Sequence, residues 1–407
     1  MNDRIYDLVL YGATGFTGKL TAAYLDEHPD LIGKRWAIAG RNGAGLQQLQ
    51  STLRASNVDV VVCPLTDESA VESLVLSTRA IITTAGPFSA YDGDKLLGAC
   101  ARAGTHYSDL SGEGFWQREM IDQFHDTAVA SGAKIVLGGG VDSIPSDLGT
   151  LIALQGLKRK PDEYAKVTGV YTEYSGSFSG GTIASGKARL KAMRTGRLTK
   201  EATDDPYILA PDVIGCVNEA GTADGMPKKF LSKLDPKRGM LFSFFMGKIN
   251  APIVRRSLAL SGIAESTSYQ ECCSLGTWTR VGWLYASRGM GYPLGDPIKM
   301  NPKPGEGPPA WMIKQGAFTI HVTAETESRK YARAVVTGKG DPGYGATSKM
   351  LAELGLCLGQ KCLPGNADVP QGGGVLTPAT GLGDALIKQL SNAESGGFMS
   401  LELVETG

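Results

Sequence analysis

Gly12-Ala13-Thr14-Gly15-Phe16-Thr17-Gly18 lies between an apolar run, Asp7–Tyr11, and a segment with helical spacing, Thr17–Glu27. Three glycines spaced by three at a strand-to-helix junction permit a tight turn, a close approach of backbone to an anion, and close packing of helix on strand. The alternation then continues. Strand-like runs at Trp36–Ala39, Val58–Val62, Ala80–Thr83, Thr105–Ser108 and Lys134–Leu137 are separated by helical spacing at Ala44–Ala55, Asp67–Ser77, Gly93–Ala103 and Gly114–Ser131, with a last helix at Ser146–Leu157. Helices of this length between strands imply parallel pairing, because a parallel connection needs a crossover of a dozen or more residues. Residues 1–160 therefore read as an α/β Rossmann domain with a doubly wound parallel sheet.

The beat stops after residue 160. Residues 161–340 carry β-branched alternation at Val167–Tyr174, Ala317–Ala324 and Ala332–Thr337, a basic helical stretch at Lys187–Leu198, and Pro/Gly-rich connectors at 292–309. That pattern predicts a second, mixed α/β domain containing an antiparallel sheet. Residues 341–407, with a helix at Ala346–Leu358, a turn at Gly372–Thr377 and a last helix at Gly383–Leu390, are expected to pack back on the first domain.

Charge and cysteine content limit the partners. Lys+Arg and Asp+Glu are 41 each, which argues against nucleic acid or an anionic membrane bound through bulk charge. Seven cysteines without a CxxC, and four histidines, offer no zinc spacing, so no metal is expected. Reduced thiols, and an N-terminus that enters a strand pattern with no charged-then-apolar leader, make the cytoplasm the expected location. The most apolar window, Met240–Val254, is too short and too interrupted to span a bilayer. Phe242, Phe244, Phe245 and Met246 beside Lys248, Arg255 and Arg256 admit a peripheral membrane contact. Core packing or a homo-oligomer interface is the preferred reading, since Asn250-Ala251-Pro252 interrupts an amphipathic helix.

Gly12, Thr14, Gly15, Phe16, Thr17 and Gly18 are expected to cradle a dinucleotide pyrophosphate. The second strand ends in Ala39-Gly40-Arg41-Asn42, where a carboxylate would read the 2′-hydroxyl of NAD. Arg41, with Asn42 beside it, suits a 2′-phosphate instead, so NADP is the expected cofactor. Gly86 and Pro87 would run past the ribose and nicotinamide. Hydride delivery also requires a proton donor, and four side chains are candidates. Tyr91 begins Tyr91-Asp92-Gly93-Asp94-Lys95, the Tyr-x-x-x-Lys spacing of short-chain dehydrogenases; Tyr107, Glu113 and Asp142 lie in or near later strand ends. Strand packing for Tyr107, a helix-start carboxylate for Glu113 and a helix cap for Asp147 are the plainer alternatives.

Read in order, these loops resemble the saccharopine dehydrogenase-like oxidoreductases, in the branch that includes the trans-acting enoyl reductases. The resemblance rests on Tyr11–Gly18, Ala39-Gly40-Arg41, Gly86-Pro87-Phe88, Gly104–Tyr107 with Asp109 and Gly112-Glu113, and Asp142–Asp147. It continues through Asn250–Arg256, Tyr344–Met350 and Gly373–Ala379. It implies NADPH-linked reduction of a small-molecule substrate. An enoyl or conjugated carbonyl of a lipid or polyketide-type substrate would need apolar walls, such as Leu241–Met246. An imine of an amino-acid-derived substrate would need paired arginines, for which Arg189, Arg194 and Arg197 are available. The alternative of another class is a non-catalytic NADPH-binding interaction protein.

Overall fold

The computed structural model describes residues 4–54, 58–160, 163–175, 180–210, 233–235, 239–274, 276, 279, 306–363, 365–392 and 397–407. Strands and helices alternate through the first part: β1 (Tyr6–Tyr11), α1 (Phe16–Asp26), β2 (Trp36–Gly40), α2 (Gly43–Gln50), β3 (Val58–Val62), α3 (Glu68–Ser77), β4 (Thr78–Thr83), α4 (Gly93–Ala103), β5 (His106–Asp109), α5 (Gly114–Ser131), β6 (Lys134–Val136) and α6 (Ile144–Gly156). The six strands pair in parallel in the order β3-β2-β1-β4-β5-β6. Leu8, Val9 and Leu10 of β1 and Trp36, Ala37 and Ile38 of β2 are wholly buried, as central parallel strands covered on both faces require. Local chemistry sets the helix ends. Asn42 and Asp67 each accept a backbone N–H in the first turn of the helix they cap, both at 3.1 Å. Gly104 and Gly132, at φ +67° and +77°, close α4 and α5.

The second part contains β7 (Ala165–Ser175), α7 (Gly180–Arg194), α8 (Lys200–Asp204), β8 (Lys233–Asp235), β9 (Gly239–Ser243), α9 (Gly247–Leu260), β10 (Thr267–Ser274), α10 (Ala310–Gln315), β11 (Ala317–Thr326) and β12 (Tyr331–Lys339). It is followed by α11 (Thr347–Leu356), β13 (Gly374–Leu376), α12 (Pro378–Gly381), α13 (Asp384–Ser391) and β14 (Met399–Thr406). A second sheet runs β14-β12-β11-β7-β10-β9-β8. All its pairings are antiparallel except β7 with β10. Along β11 and β12 every second residue is buried, the alternation of a sheet covered on one face. The cover is α6. A Cβ at Gly149 would stand 2.8 Å from Val322 Cγ2 and 3.2 Å from Val336 Cγ2, so the helix lies close on β11 and β12. The last helix of residues 1–160 thus joins the two sheets.

Two expectations need correction. Gly372–Thr377, read as a turn, contains β13, which pairs in parallel with β6 as the seventh strand of the first sheet; three residues are too few to show a period. The tail does not pack wholly on the first domain, because β14 pairs with β12 in the second sheet. Its Met399-Ser400-Leu401-Glu402-Leu403 alternation carries the strand signal. The segment weighed between core packing and a membrane surface forms β9 and α9 and lies largely in the core: Phe242, Phe244, Met246, Arg255 and Arg256 are buried, Phe245 is half-buried and Lys248 is exposed. Arg255 donates to the carbonyls of Tyr269 and Pro206, and Arg256 to those of Val375 and Leu209. The two arginines are therefore engaged inside the protein. No helix among the described residues is long and apolar enough to cross a membrane. The basic helix starts earlier than expected, at Gly180, and residues 292–305 of the connectors and Cys216 lie outside the described residues.

Candidate active site

The glycine loop has the geometry its spacing predicts. Gly12 adopts φ +79°, its N–H donates to the Ala39 carbonyl at 2.8 Å, and a Cβ there would lie 2.9 Å from the Ala85 nitrogen. A Cβ at Gly18 would stand 2.4 Å from the Gly12 oxygen and 2.8 Å from Ala13 Cα. Only backbone movement would relieve either clash. Gly15 caps α1 without a side-chain bond, and no acid occupies the first turn. The first-turn N–H groups of a helix have no partner within it, so this uncapped end presents donors to an anion. The cradle fits a dinucleotide pyrophosphate. Phe16, the first residue of α1, lies edge-on to Tyr344 with centroids 5.3 Å apart.

At the end of β2, Arg41 is exposed and its guanidinium carbon lies 5.8 Å from the centroid of the Tyr91 ring. Tyr91 is 48 % exposed, stands beside Arg41 and does not line the cavity described below. Lys95, its partner in the Tyr-x-x-x-Lys spacing, pairs with Asp92 at 3.4 Å. Asp92 has φ +56°, which breaks the backbone between them and keeps the pair off a common helical face. Asn42 is occupied as the cap of α2.

A cavity of about 640 Å³ opens beyond the carboxyl ends of the parallel strands. Thr17, Gly86, Phe88, Leu110, Glu113 and Asp142 face it from the first sheet's loops, and Tyr174, Phe245, Met246, Ile249, Trp311 and Tyr344 from the rest of the chain. Its walls are mainly apolar. Of the expected acids, Asp142 and Glu113 face the cavity and differ in their partners. The Asp142 carboxyl has no hydrogen-bond partner among the described residues, and burial pushes its pKa up to about 6.

The other candidates have structural duties. Glu113 accepts the N–H of Phe88 at 3.0 Å and that of Ser89 at 3.2 Å, together with the Ser89 hydroxyl. It braces the loop that follows Gly86 and Pro87, and the Ser185 hydroxyl donates to the same carboxylate at 3.4 Å. Tyr107 is wholly buried outside the cavity and donates to Asp109 Oδ2 at 3.0 Å. Asp109 accepts the N–H groups of Ser111 and Gly138 at 3.0 and 3.3 Å, joining the loops after β5 and β6. Asp147, in the first turn of α6, accepts the Ala379 N–H at 2.8 Å and the Ser257 hydroxyl. It therefore ties α12 to α6 and does not cap its own helix. Burial raises both Asp109 and Asp147 to about 6. Of the three arginines, Arg189 lines the cavity, Arg197 is held by Glu119 at 2.7 Å, and Arg194 points to solvent. Tyr174 also lines it, and nothing in the sequence singled that residue out; Tyr344 and Thr347, which line it too, belong to one of the motifs of the resemblance.

Residues 8–136 match the family described as the saccharopine dehydrogenase NADP binding domain. Over 414 aligned positions and 96 % of both chains, the protein is 35 % identical to a Mycobacterium tuberculosis protein provisionally named a trans-acting enoyl reductase. The chain belongs to the saccharopine dehydrogenase-like oxidoreductases. Proteins named trans-acting enoyl reductase from Mycobacterium bovis and Mycobacterium ulcerans are each 32 % identical to it, over 96 % and 95 % of this chain and 97 % and 96 % of theirs. The apo saccharopine dehydrogenase (L-Glu forming) of Saccharomyces cerevisiae shares the fold, with a TM-score of 0.51 at 11 % identity over 98 % of this chain and 99 % of that one. As a saccharopine dehydrogenase-like oxidoreductase, the protein is an NADP-dependent enzyme.

Proposed function

We propose that the chain uses NADPH to reduce a carbon–carbon double bond conjugated to a carbonyl, in an enoyl substrate of lipid or polyketide type. The observation that carries the reading is the mainly apolar cavity, beside the nucleotide loop, into which a single unpartnered carboxyl, Asp142, projects. Gly12, Thr14, Gly15 and Gly18 with the start of α1 would hold the pyrophosphate. Phe16 and Thr17 belong to the same cradle, Arg41 would take the 2′-phosphate, and Gly86 and Pro87 would run past the ribose and nicotinamide. NADPH, when bound, supplies the hydride to the carbon β to the carbonyl.

The residues of the chain do the rest. Apolar walls exclude water and hold the acyl chain. Asp142, protonated in a useful fraction near neutrality because burial lifts its pKa to about 6, donates its proton to the α carbon and is left as a carboxylate to be reprotonated from solvent. Glu113 holds the Phe88–Ser89 backbone and so fixes the cavity wall near Gly86. The imine alternative calls for paired arginines, and Arg189 faces the cavity without Arg194 or Arg197.

The test is NADPH consumption with a panel of enoyl thioesters and of imines, for wild type and Asp142→Asn. Turnover of enoyl thioesters, a rate that falls as pH rises through about 6, and loss of that rate in Asp142→Asn are expected. Turnover of imines alone would sink the reading, and NADPH binding with silence on every substrate would favour a non-catalytic binding protein.

A further inference from the structure

Asp142 reaches the cavity from a loop, so the backbone of that loop determines where its proton is delivered. One side of the loop is anchored in the first domain: Gly138 and Gly139 donate their N–H groups to Asp109, the first to Oδ1 at 3.3 Å and the second to the backbone carbonyl at 2.6 Å. The other side is held from much later in the chain. Thr347 Oγ1 accepts the Val141 N–H at 3.0 Å and donates its own proton to the Pro342 carbonyl at 2.7 Å. Both bonds are buried. Gly140 leaves room for this contact, since a Cβ there would stand 2.8 Å from Thr347 Cγ2. The partner segment, Pro342–Ala346, is a turn of π-helix leading into α11, an irregularity that recurs at functional sites. Its Tyr344 packs on Phe16 of the nucleotide loop and lines the same cavity.

We infer that Thr347 is a positioning residue for the reduction: through the Val141 amide and the Pro342 carbonyl it sets the distance between Asp142 and the cavity wall at Tyr344. The inference rests on the reading of Asp142 as proton donor. A hydroxyl is needed because one atom must both accept and donate. Valine keeps the shape and loses both bonds, while serine keeps both bonds and loses a methyl group. Because a displacement of about 1 Å at a reacting group costs on the order of a hundredfold in rate, Thr347→Val should lower kcat ~10- to 100-fold. NADPH affinity should stay within about twofold, since the glycine loop is untouched.

The experiment compares wild type, Thr347→Val, Thr347→Ser and Asp142→Asn by kcat and KM on an enoyl thioester, the pH profile of kcat, NADPH affinity, and amide hydrogen exchange of residues 138–147 without cofactor. Support consists of faster exchange at Val141 and a lower kcat with a shifted profile in Thr347→Val, and recovery to within about threefold in Thr347→Ser. Equal impairment of the valine and serine variants, or a wild-type kcat and profile in Thr347→Val while Asp142→Asn is impaired, overturns the positioning role alone. A wild-type kcat and pH profile in Asp142→Asn overturns the acid reading and this inference with it.

Discussion

Arg41→Ala should separate the two nicotinamide cofactors. The side chain is exposed at the end of β2, and its guanidinium carbon is 5.8 Å from the Tyr91 ring centroid. A hydrogen bond from a charged donor contributes about 1.5–3 kcal/mol. Solvent screening at this open position argues for the lower end, about 1.5 kcal/mol, or roughly tenfold in NADPH affinity. NADH, which has no 2′-phosphate, should bind both proteins alike. Tyr91 contributes through the guanidinium: an exposed cation–π contact is worth ~0.5–1 kcal/mol, so Tyr91→Leu should weaken NADPH binding about two- to fivefold, and this effect should vanish in the Arg41→Ala background. Calorimetric titration of the four proteins with each cofactor, at two salt concentrations, provides the cycle. Equal losses for NADH and NADPH in Arg41→Ala, or no loss for either, would remove Arg41 from the 2′-phosphate site and leave the Tyr91 contact as surface packing.

Gly18→Ala, whose added carbon meets the Gly12 oxygen at 2.4 Å, should displace α1 from the loop and weaken NADPH binding by about tenfold or more, an overpacking cost of ~1–3 kcal/mol; unchanged titration curves would contradict the role of close packing there. Asp109, Asp142 and Asp147 all stand near 6 through burial, above their ordinary ~3.9. Their stabilising contribution is complete below about pH 4 and is lost as pH rises through about 6. Thermal unfolding should therefore give a higher Tm at about pH 5.5 than at about pH 7.5, and the opposite order would contradict that sign. Phe244→Ser removes a ring that is 1 % exposed and should cost ~3–5 kcal/mol in urea unfolding; an unchanged midpoint, with loss of vesicle binding instead, would restore the membrane-surface reading.

The glycine loop, the parallel strands and most helix bounds were legible because their signals are local: period, cap and turn residues act within a few positions of one another. Gly93–Ala103 and Gly114–Ser131 are observed with the expected bounds. Pairing between distant segments was not legible. Nothing in Gly374-Val375-Leu376 announces that it will lie beside β6, because three apolar residues have no period and their partner is remote in the chain. Within the site, Tyr91 drew attention by its spacing to Lys95, yet a left-handed residue between them cancels the helical geometry that gives such spacing meaning. Asp142 could be singled out by its loop, but its separation from Tyr107 and Glu113 is a matter of hydrogen-bond partners. Tyr107 and Glu113 have them and Asp142 does not, which only the folded chain reveals.

Both sheets are finished by strands from the same late stretch, β13 beside β6 and β14 beside β12. During synthesis the Rossmann strands leave the ribosome long before the segment that completes their edge, and β12 also waits for its outer neighbour. Neither half can reach its final hydrogen-bonded boundary before these late strands have emerged. The β6 and β12 edges stay open to pairing with other chains in that interval. A nascent chain of this layout therefore has reason to be shielded until β13 and β14 have both emerged.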